Sequence, residues 1–327
     1  MEPYGNLIIG PNGSGKTNLL EAMAYTAMGK SIRFHQDADL INTKGSFFAI
    51  SAGFQTDLQL PLDIHLAYDG KRKVLKINKD VKRQLSSLFD VVKIIYCAPE
   101  DIQLVNGSPR LRRQHFDLAI SQVFPAYIGT LREYLHVVEQ RNKLLKSDYL
   151  AAEKRSWDLR FAKCLSTLYP FREKYLQLLN SELRGAYKDV SINTKDLKVQ
   201  YVPVLREAMR LGEAELLQHL ELYEPREKMW QRSLFGAHLD DYSFRMGNFG
   251  MRAFASQGQK RIAVIVMKMI QAQLIESNTR IKPIMLFDDV FAELDYDHGQ
   301  KIHDLCKDSY QIFIASPKRM CGRYLAR

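Results

Sequence analysis

Gly10-Pro11-Asn12-Gly13-Ser14-Gly15-Lys16-Thr17 satisfies the pattern G-x-x-x-x-G-K-[ST] at every position. Gly10, Gly13 and Gly15 permit positive φ and remove the Cβ atoms that would obstruct close approach of backbone N–H groups to an anion. Lys16 adds a full positive charge, and Thr17 a hydroxyl suited to a hard cation. The flanks agree. Leu7-Ile8-Ile9 reads as a short strand entering the turn. Thr17 to Met28 reads as a helix with Leu19, Leu20, Met23 and Ala27 on one face, stopped by Gly29. Strand, glycine turn and helix in succession separate a phosphate loop from a chance Gly-rich turn. The helix start also aims its N-terminus at the bound anion.

Far downstream, Ile284-Met285-Leu286-Phe287-Asp288-Asp289 is an apolar strand ending in two carboxylates. Asp288 stands where a strand carboxylate orients Mg²⁺ and its waters, and Asp289 is placed to position or deprotonate an attacking water. The plainer reading is an acidic helix start satisfied by the dipole. Between the two ends, Ser256-Gln257-Gly258-Gln259 opens a helix whose residues Ile262, Val264, Ile265, Val266, Met269 and Ile270 look buried on most sides. Ser256 is locally an ordinary N-cap; a hydroxyl and N–H groups at a helix start also suit an anion.

The 327 residues are 46% hydrophobic, which suffices for a large core and favours two domains. Net charge is +10 and the pI about 9.3, a balance that suits polyanionic partners, nucleic acid first. Cys97, Cys164, Cys306 and Cys321 form no C-x-x-C pair and have no His at metal spacing, so they read as thiols of a reducing cytosol. No apolar run approaches the roughly 20 residues that cross a bilayer, and no secretory segment opens the chain. The expectation is a cytoplasmic protein without a membrane partner.

β-like runs near Phe47–Phe54, Leu62–Tyr68 and Lys73–Ile77 follow the first helix, with Asp69-Gly70 as a hairpin signal; Val91–Tyr96 reads as a buried strand. From about Pro109 helical periodicity takes over, punctuated by Phe124-Pro125 and Tyr169-Pro170. An extended stretch lies near Val199–Val204, and more helix runs from Leu205 to Trp230. Sheet texture returns at Asp241–Met246, and Gln311 to Ala315 is the last strand. The expected organisation is an α/β P-loop head, residues 1–108 and 232–327, interrupted by an inserted helical arm, residues 109–231.

Several motifs together resemble the RecF family of bacterial DNA-repair ATPases, a branch of the ABC/SMC head fold. Gly10–Ala22 is similar to its extended phosphate loop. Ala98-Pro99-Glu100-Asp101, Val105-Asn106-Gly107-Ser108-Pro109 with Arg112-Arg113, and Gly236-Ala237-His238-Leu239-Asp240-Asp241 resemble stretches of that family. Ser256–Gln259 matches its form of the ABC signature. Leu286–Asp289 followed by Ala292-Glu293-Leu294-Asp295 matches the second carboxylate motif and D-loop. The resemblance covers most of the chain and implies an ABC/SMC-type head that forms an ATP-dependent homodimer. ATP would be held by Gly10, Pro11, Asn12, Gly13, Ser14, Gly15, Lys16, Thr17 and Asn18, and Mg²⁺ by Thr17 and Asp288. Asp289 would be catalytic, with Glu293 the next acid to examine. Ser256, Gln257, Gly258 and Gln259 would act in trans, and Asp295 would belong to the D-loop. It further implies binding to double-stranded DNA and to single-strand/double-strand junctions, action with RecR and RecO to load RecA in DNA repair, replication and the SOS response, and slow ATP turnover that times dimer release.

The chain departs from the family pattern in five places. Only nine residues precede Gly10, so the N-terminal hairpin that the resemblance places ahead of the loop is not expected in this sequence, whether through a start assigned late, a fragment or a real loss. Leu239 stands for the usual Arg, Ala237 for Pro, His115-Phe116 for an aromatic–aliphatic pair, and Ala315-Ser316 for a Thr pair. The densest basic stretch, Lys71 to Arg83, offers Lys71, Arg72, Lys73 and Lys76 as DNA contacts, or else is a solvated hairpin edge guarded by lysine. Arg110, Arg112 and Arg113 are a second patch or a set of ion pairs. Two other functions fit parts of the pattern: the ATP-binding subunit of a membrane transporter, and a DNA clamp impaired in ATP turnover. The Ala-Ser-Gln-Gly-Gln signature and the absence of a His after the last strand count against the first.

Overall fold

The computed structural model describes residues 5–33, 36–56, 58–191, 195–306 and 309–317; Cys321 and the side chain of Glu293 lie outside the described set. The chain divides into two compact units, Met1–Asp101 with Ala272–Arg327, and Ile102–Gln271.

The first unit contains a four-stranded parallel sheet in the order Gly5–Ile9, Ile312–Ser316, Ile284–Asp288, Ile94–Cys97. Strands covered on both faces read as unbroken apolar runs, and every residue of Ile312–Ser316 is buried. A second sheet is an antiparallel meander of Phe48–Gln55, Pro61–Tyr68, Lys73–Ile77 and Asp80–Lys82. Its alternation is that of a sheet with one covered face: Leu62, Ile64, Leu66, Leu75 and Ile77 point inward. The helix Lys16–Met28 lies in the core between the sheets. Its Leu20, Ala24, Tyr25 and Ala27 cluster with those five residues and with Ile94, Leu286, Phe313 and Ala315. Each large side chain fully buried there contributes about 1.5–3 kcal/mol. Gly29 ends the helix in the left-handed region, its N–H donating to the Tyr25 carbonyl at 2.8 Å.

Two local expectations change in this unit. The strand Asp80–Lys82 was hidden in the basic run; Asn78 and Lys79, both at positive φ, make the two-residue turn into it. Val91–Lys93 precede rather than form their strand, because Leu85–Asp90 is a 3₁₀ segment and pairing begins at Ile94.

The second unit packs the helices Pro109–Val123, Ala126–Leu144, Ala151–Val190 and Glu213–Trp230 with a three-stranded sheet of Leu197–Val202, Asp241–Met246 and Phe249–Gly250. Asp241–Met246 pairs antiparallel with Leu197–Val202 along its whole length, which ties the residues after Trp230 into this unit. Phe124-Pro125 separates two helices as expected. Tyr169-Pro170 does not: Pro170 lies inside the 40-residue helix Ala151–Val190. Burial of Leu165, Leu168, Tyr169, Arg172, Tyr175 and Leu176 around it outweighs the ~3 kcal/mol a mid-helix proline costs.

Two buried polar knots hold these helices in register. Arg141 bonds Asp158 at 2.7 Å, Glu227 at 2.5 Å and the Ser233 hydroxyl at 2.8 Å, and Lys154 reaches Asp158 at 2.6 Å. Arg172 donates to Asp117, to the Tyr127 and Tyr201 hydroxyls and to the Ala237 carbonyl. Asp240 accepts from Tyr169, Tyr201 and the Val204 N–H.

His115 and His238 are half-buried nearby, and desolvation pushes both imidazoles down to about 3, with Lys268 adding to the effect on His115 and Arg113 to that on His238. The folded unit therefore binds no proton at these rings between about pH 6.5 and 3, while the unfolded chain does. Stability must fall with pH across that window. Going from pH 7 to pH 5 should cost about 2 kcal/mol per histidine. Trp157 and Trp230 both lie in this unit, so urea unfolding followed by their fluorescence measures it. His115→Phe should remove that residue's share of the loss, and an unchanged pH slope would show that His115 is not held neutral.

Candidate nucleotide site

Parallel pairing aligns the C-terminal ends of three strands in the first unit: Ile9 stands opposite Ser316, and Asp288 opposite Ala315. The loop leaves the first strand with the Gly10 N–H donating to the Ser316 carbonyl at 3.4 Å. Gly13 and Gly15 take φ of 82° and 91°, which a Cβ would strain, and a Cβ on Gly10 would lie 2.5 Å from the Ser14 hydroxyl. The Ser14 N–H closes the turn onto the Pro11 carbonyl. Gly15 caps the helix without a side chain, so the first-turn N–H groups receive no side-chain cap.

Lys16 is only 7% exposed, and its Nζ donates to the carbonyls of Gly10 and Pro11 at 2.9 and 3.1 Å. A buried ammonium held by neutral carbonyls of its own loop is poised for an anion. Thr17 Oγ1 donates to Asp288 Oδ1 at 3.0 Å, joining residues 271 apart in sequence. The other oxygen of Asp288 accepts from the Tyr96 hydroxyl at 2.7 Å. Burial, then the Asp288 carboxylate, push the Tyr96 phenol well above its ordinary range, so it remains a donor. The sequence pattern places Tyr96 only at the end of a buried strand; the signal for more is a hydroxyl-bearing ring closing an otherwise apolar run.

Asp289 follows at φ 53°, left-handed, where the chain turns into the 3₁₀ segment Val290–Glu293. Its N–H donates to the Ala315 carbonyl at 3.1 Å. Asn18 is exposed beside the loop, with Arg33 Nη1 3.5 Å from its amide oxygen. Pro11 and Asn12 are exposed at the loop tip. Asp295 caps the helix Tyr296–Cys306: it accepts the His298 N–H at 3.0 Å and meets His298 Nδ1 at 2.5 Å, contacts that hold its carboxyl below the usual range.

Ser256, Gln257, Gly258 and Gln259 belong to the second unit. They form a capping box: the Ser256 hydroxyl accepts the Gln259 N–H at 3.2 Å, and the Gln259 side chain accepts the Ser256 N–H at 2.9 Å. Ser256, Gln257 and Gly258 are exposed.

The basic residues separate. Lys71, Arg72 and Lys76 are exposed. Lys73 is committed inward: it donates to the Gly29 carbonyl at 2.9 Å, pairs with Asp37 and lies over the Tyr25 ring. Arg112 is buried in a bidentate pair with Asp241 at 2.7 and 2.8 Å, and Arg113 donates to the Asp240 and Leu239 carbonyls. Of the second patch, Arg110 alone is exposed.

The loop, the distant carboxylate and the sheet that joins them define an SMC/ABC-type ATPase head fold. Comparison with known proteins agrees. The family model described as "RecF/RecN/SMC N terminal domain" matches residues 1–322. "DNA replication and repair protein RecF" of Halalkalibacterium halodurans is 32% identical over 96% of this chain and 87% of that protein. The protein of the same name from Streptococcus suis is 33% identical over 95% and 86%. The solved structure of the recombination mediator protein RecF with ATP, described as part of the RecFOR pathway, superposes with a TM-score of 0.90 at 25% identity, over 98% of this chain and 87% of that one. An Smc head bound to the winged-helix domain of ScpA shares the fold alone, at TM-score 0.51 and 15% identity. The chain belongs to the RecF family.

Lys73→Glu should therefore lower the thermal midpoint of the first unit, because it breaks the Gly29 and Asp37 contacts and places two acids together. Lys76→Glu, on the exposed side of the same strand, should leave the midpoint within about 1–2 °C, as surface substitutions do. Equal melting of the two variants by circular dichroism would show that Lys73 holds nothing.

Proposed function

We propose that this chain is an ATP-dependent DNA-binding protein of recombinational repair and replication restart, in which slow ATP hydrolysis gates a DNA-bound dimer. The observation that carries the nucleotide half is the Thr17–Asp288 hydrogen bond beside the buried Lys16. A hydroxyl and a carboxylate, both hard oxygen donors, fit Mg²⁺ shared with phosphate oxygens. Lys16, Thr17 and the loop N–H groups would hold the triphosphate, with Gly10 and Gly13–Gly15 giving it room. Thr17 and Asp288 would hold Mg²⁺, which when bound neutralises phosphate charge. Asp289 would orient the attacking water. Ser256 and Gly258, exposed at a capped helix start, suit the role of closing the site of a second copy. The repair role is supported by the RecF relatives, and RecO and RecR as partners by the RecFOR pathway of the structural relative. Family membership over nearly the whole chain favours this reading over a transporter subunit.

Three variants test the nucleotide half. Lys16→Met should abolish ATP binding. Asp289→Asn should bind normally and slow hydrolysis about 100-fold or more, and because Asn tolerates the left-handed backbone of Asp289 the loss is attributable to the carboxylate. Ser256→Arg should bind ATP yet fail to dimerise with a non-hydrolysable analogue in sedimentation. An unchanged dimer in Ser256→Arg would remove the trans role, and normal turnover in Asp289→Asn the catalytic one.

DNA binding should be stimulated by ATP, indifferent to sequence and steeply salt-dependent. Lys71→Glu, Arg72→Glu and Lys76→Glu combined, with Lys73 left in place, should reduce the slope of log affinity against log salt by about 3 if all three meet phosphates. The same slope in wild type and variant would exclude this hairpin from the DNA path.

A further inference from the structure

Tyr96 stands next to last in the strand Ile94–Cys97, and its backbone pairs with Leu286, two residues before Asp288. That register carries its ring toward the end of the neighbouring strand. Its hydroxyl reaches Asp288 Oδ2 at 2.7 Å while Thr17 Oγ1 reaches Oδ1 at 3.0 Å. Each carboxylate oxygen thus has its own donor. The terminal torsion of an aspartate is otherwise broad and roughly two-fold, so an unpinned carboxylate would sample orientations that face away from a cation.

The two donors are not equivalent. Thr17 lies at the loop, and on the reading above its own oxygen would ligate the cation. Tyr96 belongs to the sheet, its backbone paired with Leu286, and stands outside the loop. We infer that Tyr96 is a positioning residue for Asp288, holding one oxygen of the carboxylate from the sheet so that the other stays turned toward Thr17 and a divalent cation. A phenol suits this task. It restrains the carboxylate without neutralising it, whereas a lysine or arginine there would compete with the metal for the charge. The inference rests on the nucleotide reading of this site.

The test uses the 327-residue chain with a non-hydrolysable ATP analogue and Mn²⁺ in place of Mg²⁺. Mn²⁺ affinity is read by electron paramagnetic resonance for wild type, Tyr96→Phe, Asp288→Asn and the double variant. Tyr96→Phe should weaken Mn²⁺ binding about 10-fold, the low end of what loss of an outer partner costs a metal ligand. Analogue binding without metal should be unchanged. In the Asp288→Asn background the same substitution should have almost no further effect, because the group it positions is gone. A lower thermal midpoint with unaltered Mn²⁺ affinity would make the hydroxyl a structural contact only and overturn the inference. So would an equal loss in both backgrounds. Failure of the wild type to bind the analogue at all is a different result: it would overturn the nucleotide reading, and this inference with it.

Discussion

The pairing of Gly5–Ile9 with Ile312–Ser316, and of that strand with Ile284–Asp288, is the constraint on which the site depends. Neither the phosphate loop nor Asp288 is a site alone. The first strand delivers the loop, the third delivers the carboxylate, and the central strand fixes their relative register. A slip of one residue would turn Asp288 to the opposite face and break its bond to Thr17. Because this contact closes almost the whole length of the chain, it forms against a large loss of chain entropy. A ligand that binds only the closed arrangement then stabilises the first unit by mass action.

The helix Lys16–Met28 converts that register into a core. It is covered by the parallel sheet and by the inner face of the meander, so displacement of either sheet would be felt at the loop. Lys73 shows how this works at one residue. Its Nζ takes a carbonyl that the helix end leaves open, at Gly29, and its charge meets Asp37. A lysine in a basic run is here part of the means by which the meander is fastened to the helix. The alternate residues Val74 and Lys76 are exposed.

What the sequence disclosed follows from what local patterns encode. The loop, its flanking strand and helix, the N-cap at Ser256 and the Ile284–Asp288 strand were all legible, because each is fixed by neighbours within a few residues. Features set by distant partners were not. Pro170 reads as a break because a proline removes a helix hydrogen bond; only the burial of Leu168, Tyr169 and Arg172 around it shows why the helix continues. Asp80–Lys82 looked like charge because its strand character comes from pairing with Leu75–Ile77. Tyr96 looked apolar because its partner is 192 residues away.

The stretch Gly236–Asp241 shows the same limit from the other direction. Read as a motif, it invites a functional role, and the Leu239 departure looks like the loss of a charge from a site. In the fold, its contacts are those of an internal joint. Ala237 gives a carbonyl to Arg172, His238 meets the Tyr134 hydroxyl at 2.7 Å, Asp240 gathers two tyrosine hydroxyls and an N–H, and Asp241 pairs with Arg112. Leu239 joins through its backbone, its N–H to the Gly236 carbonyl at 2.9 Å and its own carbonyl to Arg113. Those bonds do not depend on the side chain. The joint at this position is thus held by backbone groups, which a half-buried leucine supplies as any residue would.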